Sequence, residues 1–190
     1  YRSKMGYLGD RRTIDGNKIY EEDSYYYEWF MYKTDGLFVT DADLYDSEGN
    51  KYPTLTANDK AGNIKYVDVN GDGVINSDDR DFKGNPLPDC SMGLTLGFNY
   101  KNFDVSAFFQ GVFGNEVYNL TNYLGEFYNQ AQYNKNSTIL DAWRPDNTDT
   151  DIPRVTLDDP NNNIRPSTYY IHNASFVRLK NLKVGYTLPD

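Results

Sequence analysis

CSMGLTLGFNY, Cys90 to Tyr100, carries the pattern on which the fold turns. Met92, Leu94, Leu96, Phe98 and Tyr100 are apolar, and the residues between them, Ser91, Gly93, Thr95, Gly97 and Asn99, are small or polar. Successive side chains of a β-strand point to opposite faces, so this alternation makes one greasy face and one polar face. Lys101-Asn102 reads as a two-residue turn. Alternation then resumes, with Phe103, Val105, Ala107 and Phe109 on one face and Asp104, Ser106 and Gln110 on the other. Phe108 breaks the rule by falling with the polar set. Two such runs joined by so short a turn predict a long β-hairpin. If the hairpin spans a membrane, Met92, Leu94, Leu96, Phe98, Val105 and Phe109 face lipid. Ser91, Thr95, Asn99, Asp104, Ser106 and Gln110 then face a lumen.

Outward from this hairpin the chain is uneven. The run FVRLKNLKVGYTL returns to alternation, with Leu182, Val184, Tyr186 and Leu188 on one face. Val177 and Leu179 are out of phase with them, which predicts a β-bulge near Lys180–Asn181. Asn115 to Thr168 is polar and rich in Asn, Asp and Pro, and is unfit for a bilayer core, where every backbone polar group needs a partner. It predicts a long loop with helix near Val117–Gln130 and again at Ser137–Trp143, capped by Ser137 and stopped by Pro145. Upstream, the aromatic burst YYYEWFMYKT is followed by Asp35-Gly36 and Leu37-Phe38-Val39, which predicts a hairpin or tight turn at Asp-Gly. Asp41 to Asn63 reads as irregular loop, and residues 1–24 show no clear period.

The 190 residues suffice for one ordinary domain with a core. Aromatic residues make up 16 % of them and eighteen are Tyr, yet no run approaches the roughly 18 apolar residues of a transmembrane helix. That excludes helical membrane proteins and leaves β-barrels untouched, since a barrel strand needs only about 9–11 residues with alternate ones facing lipid. A net charge of -9 offers no basic stripe to neutralise phosphates, which excludes nucleic-acid binding. The acidity suits cation binding, or solubility alone. One cysteine, Cys90, permits no internal disulfide. The chain opens on Tyr1 rather than Met and breaks off after Gly185-Tyr186-Thr187-Leu188-Pro189, and reads as a fragment. Short turns alternating with long polar loops fit an outer-membrane barrel. A soluble β-sandwich stays open on pattern alone, although turn signals every 8–12 residues are missing.

The sharpest motif is DVNGDGVINSDD, Asp68 to Asp79. It fits a calcium loop of the form D-x-[DN]-x-[DN]-G. Asp68, Asn70 and Asp72 take positions 1, 3 and 5, and Gly73 permits the sharp turn at position 6. Val74 offers a backbone carbonyl at position 7, Asn76 stands at position 9 and Asp79 at position 12, where a helical EF-hand has a bidentate Glu. Calcium is a hard cation that takes six to eight oxygens, and the predicted role here is structural. The competing reading is a solvated acidic turn, because Asn-Gly and Asp-Gly are turn formers.

These residues resemble, in order, the SusC/RagA family of TonB-linked outer-membrane transporters. Lys33-Thr34-Asp35-Gly36-Leu37-Phe38 resembles its K-T-D-G-[IL]-F segment. Tyr66 to Asp81, followed by Gly84-Asn85-Pro86 and Pro88, resembles its Y-x-D-x-N-G-D-G block. Phe108-Phe109-Gln110-Gly111, Trp143-Arg144-Pro145-Asp146-Asn147-Thr148, Ile152-Pro153-Arg154 and Ser175 to Leu182 continue the match, and Gly185 to Pro189 closes it. The likeness covers about residues 33 to 189; before it, Tyr25 to Tyr32 is bulkier than the Gly-rich stretch usual in the family. It implies an all-β fold: the C-terminal portion, residues 1–190, of an antiparallel transmembrane barrel of about 22 strands with a plugged lumen and long, partly helical extracellular loops. It further implies import of oligosaccharides or peptides across the outer membrane of a Gram-negative, Bacteroidetes-like bacterium. A SusD-like surface lipoprotein, TonB and outer-membrane lipid are the implied partners. The plug, the TonB box and the final strands lie outside the sequence on this reading.

Two other classes compete. A secreted calcium-binding, dockerin-like interaction module would use the same acidic loop, but dockerins carry two such repeats, each running into a helix. A glycan hydrolase would need paired carboxylates, and no spacing picks out an acid and a nucleophile. His172, the one histidine, lies near Ser175 without further support for catalysis. Tyr123, Phe127, Tyr128, Tyr133 and Trp143 are weak candidates for stacking on sugar rings; packing within the loops is the alternative.

Overall fold

The computed structural model describes residues 4–6, 12–57, 59–82, 84–126 and 134–189, Phe82 by its backbone alone. In chain order the elements are β1 (Thr13–Asp15), β2 (Lys18–Tyr20), β3 (Glu28–Trp29), β4 (Met31–Tyr32), β5 (Thr34–Leu37), β6 (Ile64–Tyr66) and β7 (Arg80–Phe82). The two long strands β8 (Cys90–Tyr100) and β9 (Phe103–Phe113) follow. Then come β10 (Glu116–Tyr118), the short helix α1 (Leu120–Gly125), β11 (Ile171–Asn173) and the long strand β12 (Phe176–Tyr186). Four short 3-10 turns lie at Asp41–Leu44, Ser77–Asp79, Ser137–Asp141 and Thr168–Tyr170.

The long strands form one antiparallel sheet in the order β12-β9-β8. Each has 11 residues, enough to cross a bilayer when tilted. Tyr100 pairs with Phe103, so Lys101-Asn102 is the two-residue turn expected, with Lys101 at φ 51. On one face the register brings together Leu94 with Phe109, Leu96 with Ala107 and Phe98 with Val105. β12 adds Leu179, Leu182, Val184 and Tyr186 to that face. The register shift between Leu179 and Asn181 is the predicted bulge: Lys180 is the extra residue, and it restores Val177 and Leu179 to the apolar face. Phe108 lies on the opposite face beside Gly93, where an added Cβ would come within 3.0 Å of its ring. Glycine thus makes room for the one large apolar side chain among polar neighbours.

Met92, Leu94, Leu96, Phe98 and Tyr100 are all more than half exposed, as are Val177, Leu182 and Val184. Among the described residues, no buried hydrophobic side chain comes from β8, β9 or β12. The sheet is therefore greasy outward and rests on no second layer of its own.

The core lies instead in the loops gathered at one end of the sheet. Tyr32, Ile64, Tyr66 and Ile75 form its centre, with Leu37, Leu55 and Tyr169 packed around it. Phe38, Met31, Ile19 and Tyr170 are also buried. Small two- and three-stranded sheets tie these loops together: β1-β2-β3, β4-β7, β5-β6 and β10-β11. The opposite end of the large sheet holds the Lys101-Asn102 turn, where Asn102 also exchanges hydrogen bonds with Thr187 at 2.8 and 2.9 Å.

Several expectations need correction. Asp35-Gly36 does not turn the chain back: β5 runs straight through it and pairs with β6, and Gly36 at φ +69 sits in a register shift between Thr34 and Leu37. The same positive φ that serves a turn serves a bulge. The expected helix at Val117–Gln130 is shorter, Leu120–Gly125, because Val117 pairs with His172 in β10-β11; residues 127–130 lie outside those described. Ser137–Trp143 is a 3-10 turn ending at Asp141, and its N-cap is Asn136 rather than Ser137. Residues 1–24, which showed no period, contain the hairpin β1-β2 around Gly16-Asn17.

Candidate functional site

The Asp68–Asp79 loop bends where its glycines allow, with Gly71 at φ +76 and Gly73 at φ +82. Its carboxylates turn onto backbone amides. Asp68 accepts from Gly71 at 2.7 Å and Gly73 at 2.8 Å. The Gly73 amide, helped by those of Gly71 and Asp72, holds the Asp68 carboxyl below its ordinary pKa. Asp72 accepts from Val74 N–H at 2.8 Å and from the Asn70 amide at 3.0 Å. Asn76 caps the following 3-10 turn by accepting from Asp78 N–H at 2.8 Å. Asp79 is fully buried and receives Val69 N–H at 2.9 Å and Asn76 N–H at 2.7 Å, one on each oxygen. Asp79 thus closes the loop by joining its two ends.

Among the described residues, no three His, Cys, Asp or Glu side chains stand close enough together to hold a metal ion. The six expected ligands Asp68, Asn70, Asp72, Val74, Asn76 and Asp79 share this one loop, and the Asn70 amide donates to Asp72 within it. Arg80 turns away from these carboxylates, donating to Gly16 O at 3.3 Å and lying over the Phe30 ring at 5.1 Å. The loop is flanked by strands β6 and β7, whereas a dockerin half-repeat runs into a helix.

The aromatic candidates divide. Tyr123 packs against Tyr118 at 6.1 Å and edge-on to Tyr170 at 5.4 Å. Trp143 donates its indole N–H to Val39 O at 3.1 Å, and its ring covers Gly62, where a Cβ would lie 2.6 Å or less from it. One side of Trp143 stays open on a cavity of about 260 Å³ shared with Arg144 and Arg154. Phe127, Tyr128 and Tyr133 lie outside the described residues. The Ser175 hydroxyl accepts Gly114 N–H at 3.0 Å, and His172 lies in β11, paired with Val117.

Sequence reasoning missed a buried polar hub that fastens these loops. The Asn163 side chain accepts Ile64 N–H at 3.0 Å and donates to Asn63 at 3.3 Å. Tyr170 OH donates to the Asn163 carbonyl at 3.1 Å. Asp159 shapes the approach by accepting Asn163 N–H and Ile164 N–H, each at 2.9 Å. The run of Asn and Pro at 160–163 signalled only a loop, and its burial depends on partners far away in the chain.

An antiparallel sheet of 11-residue strands, apolar on its outward face, with a short turn at one end and a packed layer of long loops at the other, defines a segment of a transmembrane β-barrel. No protein-family model matches the chain. It is 40 % identical over 144 residues to TonB-dependent receptor P26 of Formosa agariphila, covering 76 % of this chain and 14 % of the relative. It is 32 % identical over 125 residues to TonB-dependent receptor SusC of Bacteroides thetaiotaomicron, covering 66 % of this chain and 12 % of that one. Among solved structures, the RagAB peptide transporter superposes with a TM-score of 0.66 at 25 % identity, over 99 % of this chain and 20 % of that one. The chain belongs to the SusC/RagA family of TonB-dependent receptors, proteins of the outer membrane of Bacteroidetes. It spans about one seventh of the length of the curated relatives it matches, 14 % for the first two.

Proposed function

We propose that this chain is the C-terminal portion of the barrel of a TonB-dependent active transporter, which imports oligosaccharides or peptides together with a SusD-like surface lipoprotein. The observation that carries this is the β8-β9-β12 sheet, apolar on its outward face throughout, joined to an outer loop layer with a core of its own. The receptor and SusC relatives support TonB-driven uptake, and the RagAB likeness supports a lipoprotein-capped barrel. The residues described here would contribute the wall and part of the loop layer that the ligand passes. The test is deletion of the gene for the intact receptor, followed by growth on a panel of oligosaccharides and peptides as sole carbon sources. Growth should fail on one class and survive on monosaccharides and amino acids. Undiminished growth on every member overturns the transport reading. Co-purification of the tagged receptor with a surface lipoprotein tests the partner.

Calcium binding at Asp68, Asn70, Asp72, Val74, Asn76 and Asp79 is a second proposal, supported by the spacing and by the two glycine bends around Asp68. Each carboxylate oxygen has a second lone pair, so the amide bonds and a cation do not exclude each other. Calcium would tighten a loop already held by its amides rather than create it. Titration of the intact receptor should show a calcium-dependent gain in protease resistance at this loop. Identical resistance in calcium, in chelator and in Asp68→Ala/Asp72→Ala would leave only an acidic turn.

A further inference from the structure

We propose that Arg80 and Arg165 form a binding site for a single oxyanion group, a carboxylate or sulfate, in the loop layer. The site goes beyond the transport reading and does not depend on it. Arg80 begins β7, Ser77 begins the 3-10 turn before it, Asn17 lies in the β1-β2 turn, and Arg165 precedes β11. The fold brings these four, with Tyr32 and Pro166, around one cavity of about 160 Å³. That volume admits one carboxylate, sulfate or phosphate group and leaves the remainder of any larger ligand outside.

The lining is rich in donors. Arg80 uses one of its N–H groups on Gly16 O, and its Nε–H is buried with no acceptor among the described residues. A buried charged donor without a partner is rare in native proteins and calls for a ligand or a reason. Arg165 donates through Nη1 to the Tyr32 hydroxyl at 3.0 Å and stacks over the same ring at 5.2 Å. With its amide oxygen facing the guanidinium, Asn162 accepts from Nε and Nη2 of Arg165, each at 3.2 Å. Five N–H donors then meet three acceptor contacts, and two remain. Tyr32 is buried, and its hydroxyl, while accepting from Arg165, keeps its own proton to donate.

Charge makes the arrangement more pointed. The chain carries 28 acidic against 19 basic residues. The ion pairs among the described residues are Arg12–Glu21, Lys33–Asp81, Lys65–Asp35 and Arg144–Asp146. Neither Arg80 nor Arg165 is among them, although Asp78 and Asp79 are next to Arg80 in sequence. Asp79 spends both oxygens on backbone amides. Two guanidiniums lining one cavity, Arg80 over the Phe30 ring and Arg165 over the Tyr32 ring, each with N–H donors to spare, match an oxyanion better than any neutral group. A free inorganic ion and a charged substituent on a saccharide share this chemistry.

The test is isothermal titration of the purified intact receptor with sodium sulfate, sodium acetate, and a sulfated disaccharide beside its unsulfated parent. Arg165→Gln removes one fork. Ser77→Asp supplies a carboxylate from the cavity wall at an exposed turn position, where the fold tolerates it, and so guards against a variant that merely misfolds. The expected result is sulfate binding by the wild type, weakened at least tenfold in both variants, with the protease pattern of the Ser77→Asp loops unchanged. Tighter binding of the sulfated disaccharide than of sulfate makes this a ligand subsite. Equal affinity makes it an ion site, and both outcomes uphold the proposal. No binding of any anion by the wild type, or binding unchanged in both variants, overturns it.

Discussion

Asn163 is the residue on which the loop layer hangs. Its side chain is the acceptor for Ile64 N–H in the centre of the core, and Asn63 depends on it as well. Asn163→Ala strands a buried amide, and an unsatisfied buried donor costs about 1–3 kcal/mol. Hydrogen–deuterium exchange of the intact receptor should show Ile64 and Tyr66 losing protection while β8 and β9 keep theirs; unchanged protection at Ile64 would refute the role. Glu126 gives a prediction in pH. Burial pushes its carboxyl above its ordinary value of 4.5, against the hydroxyls of Tyr169 at 2.7 Å and Thr138 at 3.5 Å, which pull it down. A group whose folded pKa is raised stabilises fully below the unfolded value, and that contribution is lost as pH rises through the folded one. Protection in residues 116–126, after correction for the intrinsic exchange rate at each pH, should therefore be greater near pH 4.5 than at pH 7.5, and Glu126→Gln should flatten that difference. At this scale the sequence was partly legible. Gly16-Asn17 is a two-residue hairpin signal that could have been read in residues 1–24. Arg165 could not have been placed beside Arg80, because nothing local in either segment points to the other.

The strands were the most legible elements, since alternation is a property of the strand itself. The face assignment can be tested directly. Leu96 pairs with Ala107 on the apolar face, and its neighbour Thr95 pairs with Phe108 on the other. Leu96→Arg near the bilayer midplane should cost about 2–4 kcal/mol, and Thr95→Arg far less. Reversible unfolding of the intact barrel in lipid vesicles measures both, and equal costs would mean the faces are misassigned. The two bulges show how legibility depends on the flanks. Lys180 was found because long runs on both sides slip phase against each other. Gly36 was misread as a turn because β5 has only four residues, Thr34–Leu37, and leaves no phase to compare. Helix α1 was overextended for a related reason: Val117 suits a helix face equally well, and only its pairing with His172 makes it strand.

Over the whole molecule, the two ends of the large sheet predict opposite sides of the outer membrane. With Cys90 first replaced by Ser, a cysteine at Leu157 or Leu140, both well exposed on the loops, should react with an impermeant thiol reagent on intact cells. A cysteine at Asn102 should react only after the outer membrane is opened, and the reverse pattern would invert the topology. The division between a coreless sheet and a cored loop layer was not legible, because the core draws Ile19, Phe38, Ile64 and Tyr170 from segments that share no period. The connection lengths also bear on the order of assembly. β8 and β9 are joined by two residues and pair in register along their whole length, so this hairpin can zip on the timescale of a few microseconds. β12 must find β9 across the segment from Gly114 to Ser175. Each doubling of a flexible loop costs only about 0.6 kcal/mol in closure entropy, so the long connection is cheap in the finished protein. It is slow to close, because non-local contacts form only after that entropy is lost. Until then the edge of β9 that β12 will cover is a row of open amides and carbonyls, a template for the wrong strand. The nascent barrel therefore needs a chaperone or an insertion machine most during the interval between the closing of the β8-β9 hairpin and the arrival of β12.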